Sequence, residues 1–175
     1  MSNVHPAIKK MIQIAIFGAL CYVLTVFIRI PSGFGGYFHL GDSIVILSAI
    51  LFGPLVGSFV GIIGCGMADV SSGFIAFLPY TIVAKALLAI MTWAVFKCLK
   101  NSSKRRIAPI AGSYVQACIY YFAYKAILGE YTYGVMEFFG MAFWDFFQGL
   151  VCSALAFIVL KFLTRTNYFS SLRLS

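Results

Sequence analysis

The chain has 175 residues, 62% of them hydrophobic and 10% charged, with a formal net charge of +8 and a mean hydropathy of +0.96. Globular domains average roughly 45–50% apolar and about 25% charged residues, so the composition argues against a water-soluble globule and for a chain embedded in lipid. The basic residues gather between apolar blocks and form no stripe interleaved with polar readers, which points to cytoplasmic loops and not to nucleic acid.

The first apolar block, Met11 to Ile28, has the ~17–25 residues of a bilayer crossing. It is too long and wrongly flanked for a cleaved leader and is expected to remain in the mature protein. Arg29 to Leu40 reads as a Gly-rich outer loop. The next apolar run is interrupted by Phe52-Gly53-Pro54, and a proline there can end one helix and begin another. It is therefore divided into short spans at 41–53 and 54–69. Further spans are expected at 77–96, 107–128 and 135–163. The outer loops Ser71–Leu78 and Gly129–Gly134 join the later spans, and Tyr131 and Tyr133 suit an interfacial belt.

Charge supports the division. With six spans, Lys9, Lys10, Lys97, Lys100, Lys104, Arg105, Arg106, Lys161, Arg165 and Arg173, ten of the 13 basic residues, fall on one side. With five, the 97–106 cluster would lie opposite the N-terminus, against the positive-inside rule. The expected fold is an all-α membrane protein, a six-transmembrane-helix bundle with N- and C-termini cytoplasmic and residues 29–42 outside. Gly53, Gly57 and Gly61 recur every four residues, followed by Gly64 and Gly66, a spacing that lets helix backbones pack closely. Ala15 and Ala19, with Gly18 alongside, form a shorter stripe of the same kind.

Ionisable groups inside spans are costly and mark sites or internal pairs. Asp42 opens span 2 and Asp69 closes span 3, both at the outer face. Lys85 lies about 10 Å into span 4 and Asp145 about 15 Å into span 6, at 1.5 Å per residue. Lys125 and Glu137 sit near the outer surface, where long charged side chains snorkel. Gln116, Tyr120 and Tyr124 repeat every four residues on one face of span 5, and Asp145 and Gln148 share a face of span 6 beside Trp144. Together they describe an outward-opening polar cavity with aromatic walls, the usual make-up of a small-molecule site. Lys85 and Asp145 either neutralise each other or face a ligand, and Asp42 either caps span 2 or faces that ligand.

No phosphate-binding loop, Ser-His-Asp set or metal motif is present. The cysteines at 21, 65, 98, 118 and 152 lack metal or redox spacing and read as small hydrophobes. No catalytic residue, metal or cofactor is expected.

The segments Leu40-Gly41-Asp42-Ser43, Leu51-Phe52-Gly53-Pro54-Leu55-Val56-Gly57, Gly61-Ile62-Ile63-Gly64, Ala68-Asp69, Ser72-Gly73-Phe74 and Pro79-Tyr80-Thr81-Ile82-Val83-Ala84-Lys85 carry a resemblance. In this order the chain resembles the substrate-binding S component of an energy-coupling factor (ECF) vitamin transporter, in the branch assigned to pyridoxine or hydroxymethylpyrimidine. The match is dense over 40–90 and looser elsewhere. The resemblance implies a single integral-membrane substrate-binding domain over 1–175. Its partners would be a membrane T protein and two cytoplasmic ATPases, which supply the energy. It further implies a multi-pass protein of a bacterial plasma membrane that takes a vitamin from outside.

Ala15 and Ala19 match the family's small-xxx-small contact with the T protein. Lys85, Gln116, Tyr120, Trp144, Asp145 and Gln148 stand where the family binds its vitamin, and His39, Asp42, Asp69, Tyr80 and Tyr124 complete the expected site. Related branches carry Asn-x-x-Gln on the last helix, whereas this chain has Asp145-Phe-Phe-Gln148. Vitamin B6 or hydroxymethylpyrimidine is the expected ligand. Riboflavin is the alternative within the family, and a membrane-embedded lipid-modifying enzyme using Asp69, Lys85 and Asp145 the alternative outside it. A stand-alone secondary carrier lacks the expected inverted repeat.

Overall fold

A computed structural model describes residues 5–31, 37–99, 105–128 and 135–163, side chains at 124, 127, 128 and 135–142 excepted. Expectations for the 129–134 loop, the basic residues at 100–104, 165 and 173, and the side chains of Tyr124 and Glu137 fall outside these residues.

Among the described residues six long α-helices pack together: α1 Pro6–Phe27, α2 Gly41–Phe52, α3 Pro54–Ser71, α4 Leu78–Cys98, α5 Ala108–Leu128 and α6 Val135–Leu163. A proline stands in the first turn of α1, α3 and α4, where its missing N–H costs no hydrogen bond. Between α2 and α3 the break is one residue wide. Gly53 adopts φ 98°, a left-handed conformation suited to glycine, and Pro54 starts the next helix. The end of α3 is closed by Gly73 (φ 79°), with the Phe74 amide donating to the Asp69 carbonyl at 2.8 Å. A 3-10 turn, Ile75–Phe77, leads into α4.

Among the described residues four helical segments are long and apolar enough to cross a membrane: Pro6–Phe27, Pro54–Ser71, Ile75–Cys98 and Phe143–Leu163. At 12 residues, α2 is about 18 Å long and falls short of a ~30 Å hydrocarbon core. Helix α5 has the length, but Ser113, Gln116, Tyr114, Tyr120, Tyr121, Tyr124 and Lys125 interrupt its apolar run.

One element departs from the all-α expectation. Inside the outer loop, β1 (Arg29–Pro31) pairs antiparallel with β2 (Tyr37–His39), Arg29 opposite His39. Strands of three residues leave no readable alternation, so the sequence reads there as loop.

Helix α2 is apolar apart from Asp42, Ser43 and Ser48, and every residue from Gly41 to Ile50 is buried. Helix α3 packs against α1, α2 and α4, while α5 lies against α4 and α6, and α6 returns to α2. The glycines of α3 explain how one helix meets three neighbours. A Cβ at Gly57 would come within 2.8 Å of the Ala49 Cα, one at Gly61 within 2.8 Å of the Lys85 Cβ, and one at Gly64 within 2.9 Å of the Gly18 carbonyl. Helix α1 buries only Gly18, Cys21 and Thr25. Ile12, Ile16, Leu20 and Val23 face outward from it, as a helix on the lipid side requires.

Candidate functional site

Asp42, in the first turn of α2, makes no capping bond. Its Oδ1 accepts from the Lys85 Nζ at 2.6 Å, an ion pair with both side chains all but sealed from solvent. Its Oδ2 accepts from the Gln116 Nε2 and the Gln148 Nε2, each at 2.8 Å. Lys85 also donates to the Gln116 Oε1 at 3.2 Å, and its ammonium stands 5.4 Å from the Tyr120 ring centroid. The Gln148 Oε1 then accepts from the His39 backbone N–H at 3.0 Å. One connected network thus ties α2, α4, α5, α6 and β2 together. Such pairs persist in a low-dielectric interior only when further hydrogen bonds satisfy the ions, and here they do.

The His39 Nδ1 accepts from the Gly41 N–H at 3.2 Å, so the ring proton is assigned to Nε2. Burial lowers the His39 pKa to about 4, with the Asp42 charge acting in the opposite direction, and the imidazole is neutral at pH 7. His39, Asp42 and Cys65 bring ligand-type atoms within 4.8 Å of one another. Asp42 has already spent both oxygens on an ammonium and two amides, and a metal ion would have to sit beside that ammonium. The cluster is a hydrogen-bonded wall.

Beside the network lies a cavity of about 50 Å³ lined by Tyr37, His39, Cys65, Asp69, Phe74, Phe77, Thr81, Tyr120, Asp145 and Gln148. A water molecule needs roughly 10–15 Å³ by this measure, so the space is larger than a single solvent site. The Tyr37 hydroxyl donates to the Asp69 Oδ1 at 2.8 Å. Burial, then the Asp69 charge, raises the Tyr37 pKa and keeps that phenol protonated. The Asp69 Oδ2 is buried without a hydrogen-bond partner. Thr81 and Tyr120 pair through their hydroxyls at 3.1 Å. The Phe74 ring lies 5.3 Å from Tyr37 and 6.3 Å from Phe77. Arg29 stacks its guanidinium 4.3 Å from the Tyr37 centroid and donates to the Ser72 hydroxyl.

Of the residues expected at the site, His39, Asp69, Tyr120, Asp145 and Gln148 line the cavity. Asp42, Lys85 and Gln116 lie in the network beside it, and Lys85 pairs with Asp42 and not with Asp145. Tyr80 and Trp144 are half-buried outside the lining; Trp144 meets Phe147 edge-on at 6.2 Å. Ala15 and Ala19 are exposed on α1. Tyr37, Cys65, Phe74, Phe77 and Thr81 were not anticipated. Two had a signal: Tyr37 is two residues before His39, the period of one strand face, and Thr81 is one helical turn before Lys85.

The family model for the ECF-type riboflavin transporter S component matches residues 6–163. The chain belongs to this family. S components are the substrate-binding subunits of membrane transporters and not enzymes, so the lipid-modifying alternative falls away. A solved S component of a bacterial ECF transporter superposes with a TM-score of 0.70 over 90% of this chain and 96% of that one, at 21% identity, and so shares the fold. An uncharacterized protein in the gap 3' region of Pyrococcus woesei is 33% identical over 99 residues, 56% of this chain and 66% of that protein. A UPF0397 protein of onion yellows phytoplasma is 36% identical over 63 residues, 36% of this S component and 34% of its own length. Each of these two sequence alignments thus spans less than two thirds of the relative it matches.

Proposed function

We propose that this S component captures a small, flat nitrogen heteroaromatic from outside the cell, vitamin B6 (pyridoxine, pyridoxal or pyridoxamine) or hydroxymethylpyrimidine. The observation that carries the reading is the cavity itself, in which carboxylates from α3 and α6 and the Gln148 amide stand among Tyr37, Phe74, Phe77 and Tyr120. Aromatic faces stack on a ring, and carboxylates accept from hydroxyl, amine or ring N–H groups. Riboflavin, the vitamin in the family's name, remains the second reading; its largely uncharged ring system makes less use of two carboxylates.

In this reading the six helices form six crossings with both termini cytoplasmic, and the protein resides in the plasma membrane. Ala15 and Ala19, exposed on the lipid-facing helix, meet a T protein that works with two ATPases. Binding is separate from energy supply: the cavity captures, and the partners drive release.

Calorimetry on the purified chain with pyridoxine, pyridoxamine, hydroxymethylpyrimidine, riboflavin, biotin and pantothenate tests the ligand. Tight binding of a pyridine or pyrimidine vitamin is expected. Binding of riboflavin, biotin or pantothenate alone overturns the choice of vitamin. Mass spectrometry of what leaves the protein on denaturation gives an independent answer.

A further inference from the structure

Charge around the cavity does not balance. Among the described residues Lys85–Asp42 is the ion pair, and it consumes the buried lysine. His39 is neutral at pH 7, its pKa lowered to about 4. Arg29 stacks on the Tyr37 face and donates to Ser72, both neutral, and makes no ion pair with a described carboxylate, so it leaves one cation against two carboxylates. Two carboxylates remain on the wall. Asp69 is 6% exposed and its Oδ2 has no hydrogen-bond partner. Asp145 accepts no hydrogen bond from a described residue, yet lines the same space.

Buried acceptors without donors are costly, and buried charges without partners more so. The wall offers only neutral donors: Tyr37 donates to Asp69 Oδ1, and the Thr81 and Tyr120 hydroxyls share one hydrogen bond, which leaves a single neutral O–H between them beside Asp69. Among the described residues no charged donor reaches Asp69 Oδ2, so a positively charged ligand in the cavity satisfies Asp69 most fully. Phe74 and Phe77 line the same space, and aromatic faces attract a cation through their ring quadrupoles.

We propose that Asp69 is the specificity-determining residue of this site and that the ligand is recognised as a cation, a flat heteroaromatic whose protonated amine donates to the free oxygen of Asp69. The inference rests on the ring-vitamin reading above and adds the charge and the atom that reads it. Neutral relatives of the same ring offer Oδ2 only an uncharged hydroxyl, a weaker partner for a carboxylate than an ammonium, so the site selects the amine over the alcohol.

The test is calorimetry at pH 7.5 with a matched pair, pyridoxamine and pyridoxine, which differ by an aminomethyl against a hydroxymethyl group, with riboflavin as a third ligand. Pyridoxamine is expected to bind at least about tenfold tighter than pyridoxine, and Asp69→Asn is expected to bring the two within about threefold. Equal binding, or tighter pyridoxine, overturns the cation inference and spares the ring-vitamin reading. Riboflavin binding with neither member of the pair bound overturns both. The wild-type ratio decides by itself if the variant does not fold. A folded Asp69→Asn protein that keeps the full preference overturns the assignment to Asp69.

Discussion

Asp42 and Asp69 are both carboxylates buried beside the same hairpin, and they differ in company. Asp42 has an ammonium on one oxygen and two amides on the other, drawn from three helices. Asp69 has one phenol and a bare oxygen. A buried ion whose partners are all supplied from within the chain belongs to the architecture, since it holds helices in register. One whose partners are missing belongs to whatever fills the adjoining space. In this bundle a polar side chain inside the membrane says only that one of the two applies, and the hydrogen-bond inventory decides which.

The strongest challenge to that distinction is Lys85→Met. Removing one member of a buried pair strands the other, and the expected loss of stability is about 3–5 kcal/mol, read as a lowered melting temperature in detergent. Restoring neutrality with Asp42→Asn in the same chain should recover part of it. A single variant as stable as wild type would show that the network does not hold the helices.

On the other side of the comparison, Asp145→Ala should leave the fold intact and weaken ligand binding by about 2–5 kcal/mol, the cost of removing one partner of a buried charged hydrogen bond. Calorimetry with the tightest-binding vitamin measures this. If melting temperature falls and affinity does not, Asp145 belongs with Asp42.

His39 belongs to both regions, and pH separates its two roles. Its folded pKa of about 4 lies below the ordinary value of 6.5. As pH falls, the unfolded chain therefore takes up the proton first. Stability is complete above about pH 6.5, declines down to about pH 4 and then levels off, with a total loss of about 3 kcal/mol. Melting temperatures at pH 7.5 and 4.5 should differ accordingly, and His39→Gln should narrow the difference.

The smallest effect is expected far from both regions. Ala15→Leu and Ala19→Leu lie on the exposed face of α1 and should change stability by no more than about 0.5 kcal/mol, with vitamin binding unaltered and uptake by whole cells lost. Impaired binding would place that stripe within the chain's own packing.

How much of this was legible beforehand depended on the range of the interaction. The break at Gly53-Pro54 was readable because it is written in two adjacent residues with restricted or unusual backbone angles. The out-of-place polarity of Asp69, Asp145 and Gln148 was readable because an apolar helix makes it conspicuous. The partner of Lys85 was not: Asp42 lies 43 residues away on another helix, and helical depth pointed to Asp145 instead. Phe74 and Phe77 gave no signal, since an aromatic residue near a membrane surface looks the same in a belt, a core or a binding wall.

The close approach of Gly61 to Lys85 also constrains the chain over evolutionary time. A methyl at 61 would press on the Lys85 Cβ at 2.8 Å and displace the very side chain that neutralises Asp42. The atom in the way is a Cβ, which every residue except glycine carries, so replacing Lys85 by a smaller residue such as alanine does not make room at 61. Val45 closes the same space from α2 at 3.2 Å. The glycine is therefore held by the spacing of three helices and outlasts the lysine: a lineage that lost the ion pair would still inherit the constraint at 61.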